Sequence, residues 1–231
     1  MEDPDEEPFE WLGDHLFTNF QSLYHRLSRR GYYLETLNQP LTCFSAENYK
    51  ALLLVDIEDY LSEEEITKVR IDVETRGLSL IVIADWYNKE KIVKTNYFNT
   101  GTFEEWKPFM GGSNVPTLNA LLEPYHIAFG QGVFQGSFKM GERVVDIVSG
   151  SEIIMFPGGG YLLSPLLNVQ IEASHSDSIK VKSGGGARPS TRRAPQQRHV
   201  PTIGILERLP GPEFDNSGAI VVMTDSDCIS Q

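Results

Sequence analysis

The sequence is short of most features that would make its chemistry plain. It holds only two cysteines, Cys43 and Cys228, too few for a disulfide scaffold or a four-ligand zinc site. No apolar run approaches the roughly 18 residues that would span a bilayer. No basic-then-apolar leader opens the chain. Positive charge is scarce too: 20 Lys and Arg stand against 32 Asp and Glu, for a formal net charge of −12. Phosphate partners need clustered Lys and Arg, so this balance argues against nucleic acid or an anionic membrane as a ligand. No Asn-x-Ser/Thr sequon occurs, and glycosylation gives no clue to compartment.

What is present is enough to fold. At 231 residues and 40% hydrophobic content, the chain can fill the core of one large domain or two small ones. An acidic run from Glu2 to Glu10 opens it, and residues 1–17 read as a solvated, poorly ordered lead-in. The first firm element is a helix. Thr18 and Gln21 make a Thr-x-x-Gln capping box, and Phe20, Leu23, Tyr24 and Leu27 form one apolar stripe. Arg26, Arg29 and Arg30 suit the negative end of its dipole, and Gly31 supplies a left-handed stop. A short strand, Tyr32–Leu37, is expected to follow.

Ala51–Asp56 (ALLLVD) is an apolar run ending in an acid, the pattern of a strand buried on both faces. Ser62 and Glu65 then form a second capping box, with Leu61 and Ile66 placed as a hydrophobic staple. Ile66, Val69 and Val73 carry the buried stripe of this helix, and Gly77 ends it. Leu78–Ala84 (LSLIVIA) is a second buried strand, again followed by an acid, Asp85. Strand, capped helix and strand with short connections make a βαβ unit with a right-handed parallel crossover.

Asn88–Gly112 mixes aromatics with glycines and reads as a long ordered loop. A third helix starts near Asn114 with Pro116 in its first turn, turns Leu118, Leu121 and Leu122 inward, and ends at Pro124. Beyond Ile127 the runs shorten. Val144–Val148 and Glu152–Phe156 are β-branched and separated by Gly and Pro, which predicts antiparallel strands or hairpins. Ser183–His199 is poor in apolar residues and rich in Gly, Pro and Arg, as in a flexible surface insertion. Strands return at Thr202–Glu207 and Ala219–Met223. The expected organisation is an acidic lead-in (1–17), an α/β unit (18–128), a β-rich extension (129–182), the flexible insertion (183–199) and closing strands of the α/β unit (200–231).

Tests for chemistry are mostly negative. No Gly-x-Ser-x-Gly elbow exists, and neither cysteine sits in a comparable setting. Asp14 and His15 are an adjacent acid and base, but neighbours on a short loop point apart, and a helix-entry loop explains them. Pro157-Gly158-Gly159-Gly160 lacks the third glycine of a dinucleotide fingerprint and the Lys of a P-loop, so it reads as a turn between strands. The most informative constellation is acidic. Asp56, Asp85 and Asp225 each follow a buried apolar run, which would put all three at the carboxyl edge of one sheet, where open α/β folds bind ligands. Such carboxylates can hold Mg²⁺ or Ca²⁺, or cap the turns that follow them; capping is the preferred reading and no metal or cofactor is expected. Cys43 and Cys228 lie beyond the first and last strands, so a disulfide between them and a pair of buried free thiols both remain open.

Several stretches, taken in order, resemble one family. Trp11-Leu-Gly-Asp-His-Leu-Phe-Thr-Asn-Phe20, Tyr24, Gly31-Tyr32, Leu41-Thr-Cys-Phe44, Leu53-Leu-Val-Asp56, Gly77-Leu-Ser-Leu80 and Asp85-Trp-Tyr-Asn88 are similar to the region downstream of the peptidase domain in the site-1 protease family of subtilisin-like enzymes. Gly111-Gly-Ser-Asn-Val-Pro-Thr-Leu-Asn-Ala-Leu-Leu122, Val200-Pro201 and Asp225-Ser-Asp-Cys228 continue the likeness. The resemblance implies a membrane-anchored parent in the endoplasmic reticulum and Golgi, a serine endopeptidase that processes membrane-bound transcription factor precursors. In that family the Asp, His and Ser of catalysis lie upstream and the anchor downstream, so no residue here inherits a catalytic role. Met1 aligns inside the family's chain, which points to a partial gene product or a separated module.

The expected fold is therefore α/β, with an open, mostly parallel sheet of the flavodoxin or class I amidotransferase kind. It would be short of its first strand and carry a β-rich antiparallel extension. With that strand missing, Tyr32–Leu37 and Ala51–Asp56 are expected to flank a vacant position or to close up under strain. The expected function is a non-catalytic supporting or interaction region, whose partners are the upstream catalytic domain and the parent's substrates or membrane partners. The rival expectation is an independent amidotransferase-like or flavodoxin-like domain binding a small ligand or divalent ion at Asp56, Asp85 and Asp225. An enclosed polar pocket there favours the rival; a wide exposed apolar face favours docking.

Overall fold

The computed structural model describes residues 19–108, 110–171, 196–207, 209, 216–226 and 229. The elements run α1 (Gln21–Arg29), β1 (Ala51–Val55), α2 (Glu63–Thr75), β2 (Ser79–Ile83), α3 (Lys89–Lys94), β3 (Tyr97–Asn99), β4 (Glu104–Trp106) and α4 (Val115–Leu122). Nine further strands follow: β5 (Ala128–Phe129), β6 (Val133–Met140), β7 (Arg143–Gly150), β8 (Ile153–Met155), β9 (Tyr161–Leu163), β10 (Leu166–Ile171), β11 (Gln197–His199), β12 (Ile203–Leu206) and β13 (Ile220–Met223). The architecture is α/β with mixed sheets and no closed barrel.

The main sheet has five strands in the order β1-β2-β13-β12-β9. β1, β2 and β13 are parallel neighbours, and β12 and β9 join antiparallel. The expected mostly parallel sheet is thus corrected to a mixed one. β12 and β13 are consecutive in the chain, and an antiparallel pair needs no crossover helix between its strands. A second, antiparallel sheet runs β11-β10-β6-β7. Its strand β11 comes from the Gly/Pro/Arg-rich stretch read as flexible: Gln197–His199 pairs with Leu166–Asn168, while residues 183–195 lie outside the described ones.

The βαβ unit forms as the pattern dictates. Ser62 Oγ accepts the Glu65 N–H at 3.2 Å while Glu65 Oε2 accepts the Ser62 N–H at 2.9 Å, closing the capping box of α2. Glu65 Oε1 also accepts the Leu41 N–H at 2.9 Å, which ties a 3-10 turn (Leu41–Cys43) to the helix entry. Val69 and Val73 are fully buried with Leu118, Leu121 and Leu122 of α4. Together with Leu80, Val82, Ile220 and Val222 they form the principal core. Burial of each such side chain is worth about 1.5–3 kcal/mol.

All these helix contacts fall on one face of the sheet. Side chains alternate along a strand, and the register aligns Leu54, Val82 and Val222 in the core with α2 and α4, while Gly204 in the same row lies against Phe156. The other face presents Leu53, Ile81, Val221, Ile203, Ile205 and Leu163. In the central strands Leu80, Val82, Ile220 and Val222 are fully enclosed, whereas on the other face Ile81 and Val221 are half-buried and Ile83 is buried. A doubly wound sheet carries helices on both faces; among the described residues, α2 and α4 both pack on the same one.

Three further expectations are corrected. Tyr32–Leu37 forms no strand, and Tyr33 is 84% exposed. With no ladder partner and no buried face, its aromatic residues have nothing to stabilise an extended pairing. β1 is consequently the sheet's edge, with only Leu54 buried among its residues; it is neither buried on both faces nor beside a gap bounded by two strands. Third, the loop expected over Asn88–Gly112 contains α3 and the β3–β4 hairpin. Asn88, whose Oδ1 accepts the Lys91 N–H at 2.9 Å, caps that helix. The first helix forms, but its N-cap is Phe20, with no side-chain cap hydrogen bond, in place of the expected Thr18–Gln21 capping box; Thr18 lies outside the described residues. α1 ends in a Schellman arrangement, with Gly31 at φ +88°, its N–H on the Ser28 carbonyl and the Tyr32 N–H on the Leu27 carbonyl. None of its residues is buried.

Candidate functional site

Because β1, β2 and β13 are parallel neighbours, the acids after them share one carboxyl edge. Asp56, Asp85 and Asp225 are all buried, the last completely. The Asp56 N–H extends the ladder to the Ile83 carbonyl at 2.9 Å, and the Ala84 N–H does so to the Met223 carbonyl at 2.9 Å. Asp56 then turns the chain out of the strand at φ 47°, a left-handed conformation in which Asp is among the tolerated residues.

Each carboxylate holds a different loop. Ser226 Oγ donates to Asp56 Oδ2 at 3.1 Å, fastening the turn after β13 to the turn after β1. Asp85 Oδ1 accepts the Trp86 N–H at 2.6 Å and the Ser149 hydroxyl at 3.0 Å, while the Asp85 N–H donates to Ser113 Oγ at 3.0 Å. Asp225 Oδ2 accepts the Val148 N–H at 2.7 Å, which bonds the main sheet to β7 of the second one. Gly112 passes so close to Asp85 that a Cβ there would sit 2.4 Å from Oδ2. Next to it, Asn114 Oδ1 caps α4 through the Thr117 N–H, and its Nδ2 donates to the Glu58 carbonyl at 3.1 Å.

This geometry is that of a clamp. Carboxylate lone pairs that a hard cation would use instead receive N–H and O–H donors, whose positive ends oppose a metal. Among the described residues no group of three His, Cys, Asp or Glu side chains is placed to hold a metal ion. Nothing in the described geometry favours the rival reading, which needed an enclosed polar pocket among Asp56, Asp85 and Asp225; the hydrogen bonds given tie these carboxylates to loops.

The remaining candidates are dispersed. Cys43 is exposed rather than buried, with its sulfur 4.0 Å from Thr42 Oγ, and is not bonded to another cysteine among the described residues. Cys228, Asp14 and His15 lie outside the described residues. Pro157–Gly160 is the turn joining β8 to β9. His199 Nδ1 lies 2.9 Å from the Ser164 carbonyl, and His25 meets the Tyr24 ring edge-on. No described helix is long and apolar enough to cross a membrane.

One pair escaped the sequence reading. Glu152, just before β8, is buried and its carboxylate pairs with the Arg198 guanidinium of β11, which also lies 4.6 Å over the Phe134 ring. The Gly130-Gln131-Gly132 bend wraps this acid, since a Cβ on Gly132 would fall 2.9 Å from Glu152 Oε1. Burial pushes the Glu152 carboxyl up from its ordinary range, and Arg198 pulls it back. The only signals available were two glycines bracketing a polar residue and an arginine inside a low-complexity stretch.

The segments that carry the sequence resemblance meet at this edge: Asp56, Asp85, Gly112-Ser113-Asn114 and Asp225-Ser226. Residues 2–231 match the family described as MBTPS1, fourth GATase-like domain. The chain belongs to that family. It is 38% identical over 221 residues to the subtilisin-like protease SBT6.1 of Arabidopsis thaliana, covering 95% of this chain and 20% of that protein. It is 34% identical over 224 residues to the membrane-bound transcription factor site-1 protease of Homo sapiens, covering 96% of this chain and 19% of that protein. The Mus musculus site-1 protease matches with the same identity and coverage. The chain thus spans about a fifth of the length of these relatives, and it corresponds to the fourth GATase-like domain of the site-1 protease family.

Proposed function

We propose that this chain is a non-catalytic supporting and interaction region of a site-1-protease-like subtilase. The observation that carries the reading is the closed carboxyl edge of the main sheet. Ligand sites of open α/β folds lie at that edge, and here Asp56, Asp85 and Asp225 are engaged in holding loops. The catalytic Asp, His and Ser would belong to an upstream subtilisin-like domain, which is the first expected partner. The parent would be a membrane-anchored serine endopeptidase of the endoplasmic reticulum and Golgi lumen, acting on membrane-bound transcription factor precursors. The names of the relatives support the protease and the membrane association; the compartment follows from the family resemblance.

The finer fold belongs to the same proposal. The sheet is of the flavodoxin or class I amidotransferase kind, a reading supported by the parallel β1-β2-β13 core and by the GATase-like family description. Residues 18–128 and 200–231 form one α/β unit, interrupted by the β-rich extension 129–182 and the insertion 183–199. The test has two arms. The chain alone is assayed on fluorogenic peptides carrying a basic-hydrophobic cleavage sequence, and no turnover is expected. SBT6.1 is then produced with and without its matching fifth, and loss of that fifth is expected to lower the yield of active protease. Turnover by the isolated chain, or full activity of the shortened protease, would overturn the reading.

A further inference from the structure

The open face of the five-stranded sheet carries an inference about how such a module would be used, and it rests on the supporting-region reading above. From β1 to β9 the sheet is four strand spacings wide, roughly 19 Å, and its strands are about 10–17 Å long. That face measures roughly 250 Å² in plan, a little under the roughly 300–600 Å² of the largest apolar patch on a typical monomer. It presents Leu53, Ile81, Val221, Ile205 and Tyr161 in one row and Ile203 and Leu163 in the next, where Ile83 is already buried, with no charged side chain among them. Ile205 and Leu163 are 38% and 40% exposed.

Two of the described helices, α2 and α4, occupy the opposite face, and α1 lies beside β7, where Leu23, Arg26, Leu27 and Arg29 of the helix and Arg30 after it line a groove with Arg143 and Val144. An α-helix with its side chains is about 10 Å across, so a face roughly 19 Å wide has room for two. Parallel strands are stable with apolar cover on both sides. The relatives carry about four-fifths of their length outside the matching region, with this chain covering 20% of SBT6.1. We infer that the uncovered sheet face docks a pair of amphipathic helices from another part of the same protease polypeptide, through aliphatic packing without ion pairs.

The experiment uses single cysteines as accessibility probes, in a background with Cys43→Ser and Cys228→Ser. Ile205→Cys and Leu163→Cys report on the face, and Val144→Cys and Tyr33→Cys report on exposed positions elsewhere. Each is placed in the isolated chain and in SBT6.1 whose matching fifth is replaced by this chain, and maleimide labelling rates are compared. The expected result is labelling of the face cysteines at least tenfold slower in the replaced protease than in the isolated chain, with Val144→Cys unchanged. If the face cysteines stay reactive while another position becomes protected, the surface is wrong and the supporting-region reading stands. If no position is protected, both fail. Should the isolated chain already protect the face, sedimentation velocity decides between a dimer and cover by the chain's own residues, and either overturns the inference. Melting curves of each variant verify the fold, and the two face positions check one another.

Discussion

Single residues show where burial and hydrogen bonding disagree. Tyr125 is 6% exposed within the principal core, and its hydroxyl is buried without a hydrogen-bond partner among the described residues. Burial pushes its phenol well above the ordinary range. Deleting that hydroxyl removes a desolvation cost, so Tyr125→Phe is expected to leave stability unchanged or raise it by about 1 kcal/mol in urea titration. Glu152 behaves differently because its charge has a partner. Its folded pKa lies above the ordinary 4.5, so its contribution to stability is full below that value and is lost as pH rises through the folded pKa. Arg198 limits that loss. Arg198→Met is expected to cost about 1–3 kcal/mol at pH 7, and the gap between variant and parent should shrink at acid pH, where Glu152 is neutral. A gap independent of pH would show that Arg198 acts through packing on Phe134 instead. Neither residue was legible in the sequence. A tyrosine's hydroxyl partner depends on tertiary placement, and Arg198 meets Glu152 across 46 positions.

Elements whose reasons are local were the readable ones. The α2 capping box needs only residues three apart, and it formed with both hydrogen bonds. Ser62→Ala is expected to cost about 1 kcal/mol, measured by chemical denaturation. Glu65 adds a pH signature: N–H donors from Ser62, then Leu41, hold its carboxyl below the usual value. Its stabilising contribution is therefore present above pH 4.5 and lost as pH falls through the folded pKa. Glu65→Gln should flatten the acid limb of the stability profile while leaving the neutral limb nearly level. Tyr32–Leu37 failed for the complementary reason. A strand exists only with a partner, and the identity of a partner is written elsewhere in the chain. The acid after each parallel strand was legible from the run that preceded it, but its clamp partners Ser113, Ser149 and Ser226 were not, because hydroxyls of that kind are common and unmarked.

At the scale of the molecule, charge and topology pull in different directions. A net charge of −12 makes the compact state self-repelling, while the i,i+4 ion pairs among the described residues, Lys68–Asp72, Arg70–Glu74, Arg76–Asp72 and Lys94–Glu90, are short-ranged. Raising NaCl from about 0.02 to about 0.2 M shortens the screening length from roughly 20 to roughly 7 Å. The melting temperature is expected to rise by about 2–4 °C over that range; a fall would mean that attractive pairs dominate. The strand order has a further consequence for how such a chain is made. β13, the last of the described strands in chain order, lies in the middle of the sheet between β2 and β12, and the Asp56–Ser226 bond closes over 170 positions. A ribosome delivering this polypeptide from its amino end releases βαβ early, with the inner edge of β2 still unpaired. The sheet therefore waits for its own centre, and a translation stop or nick before Ile220 would cost the molecule its keystone rather than its tail.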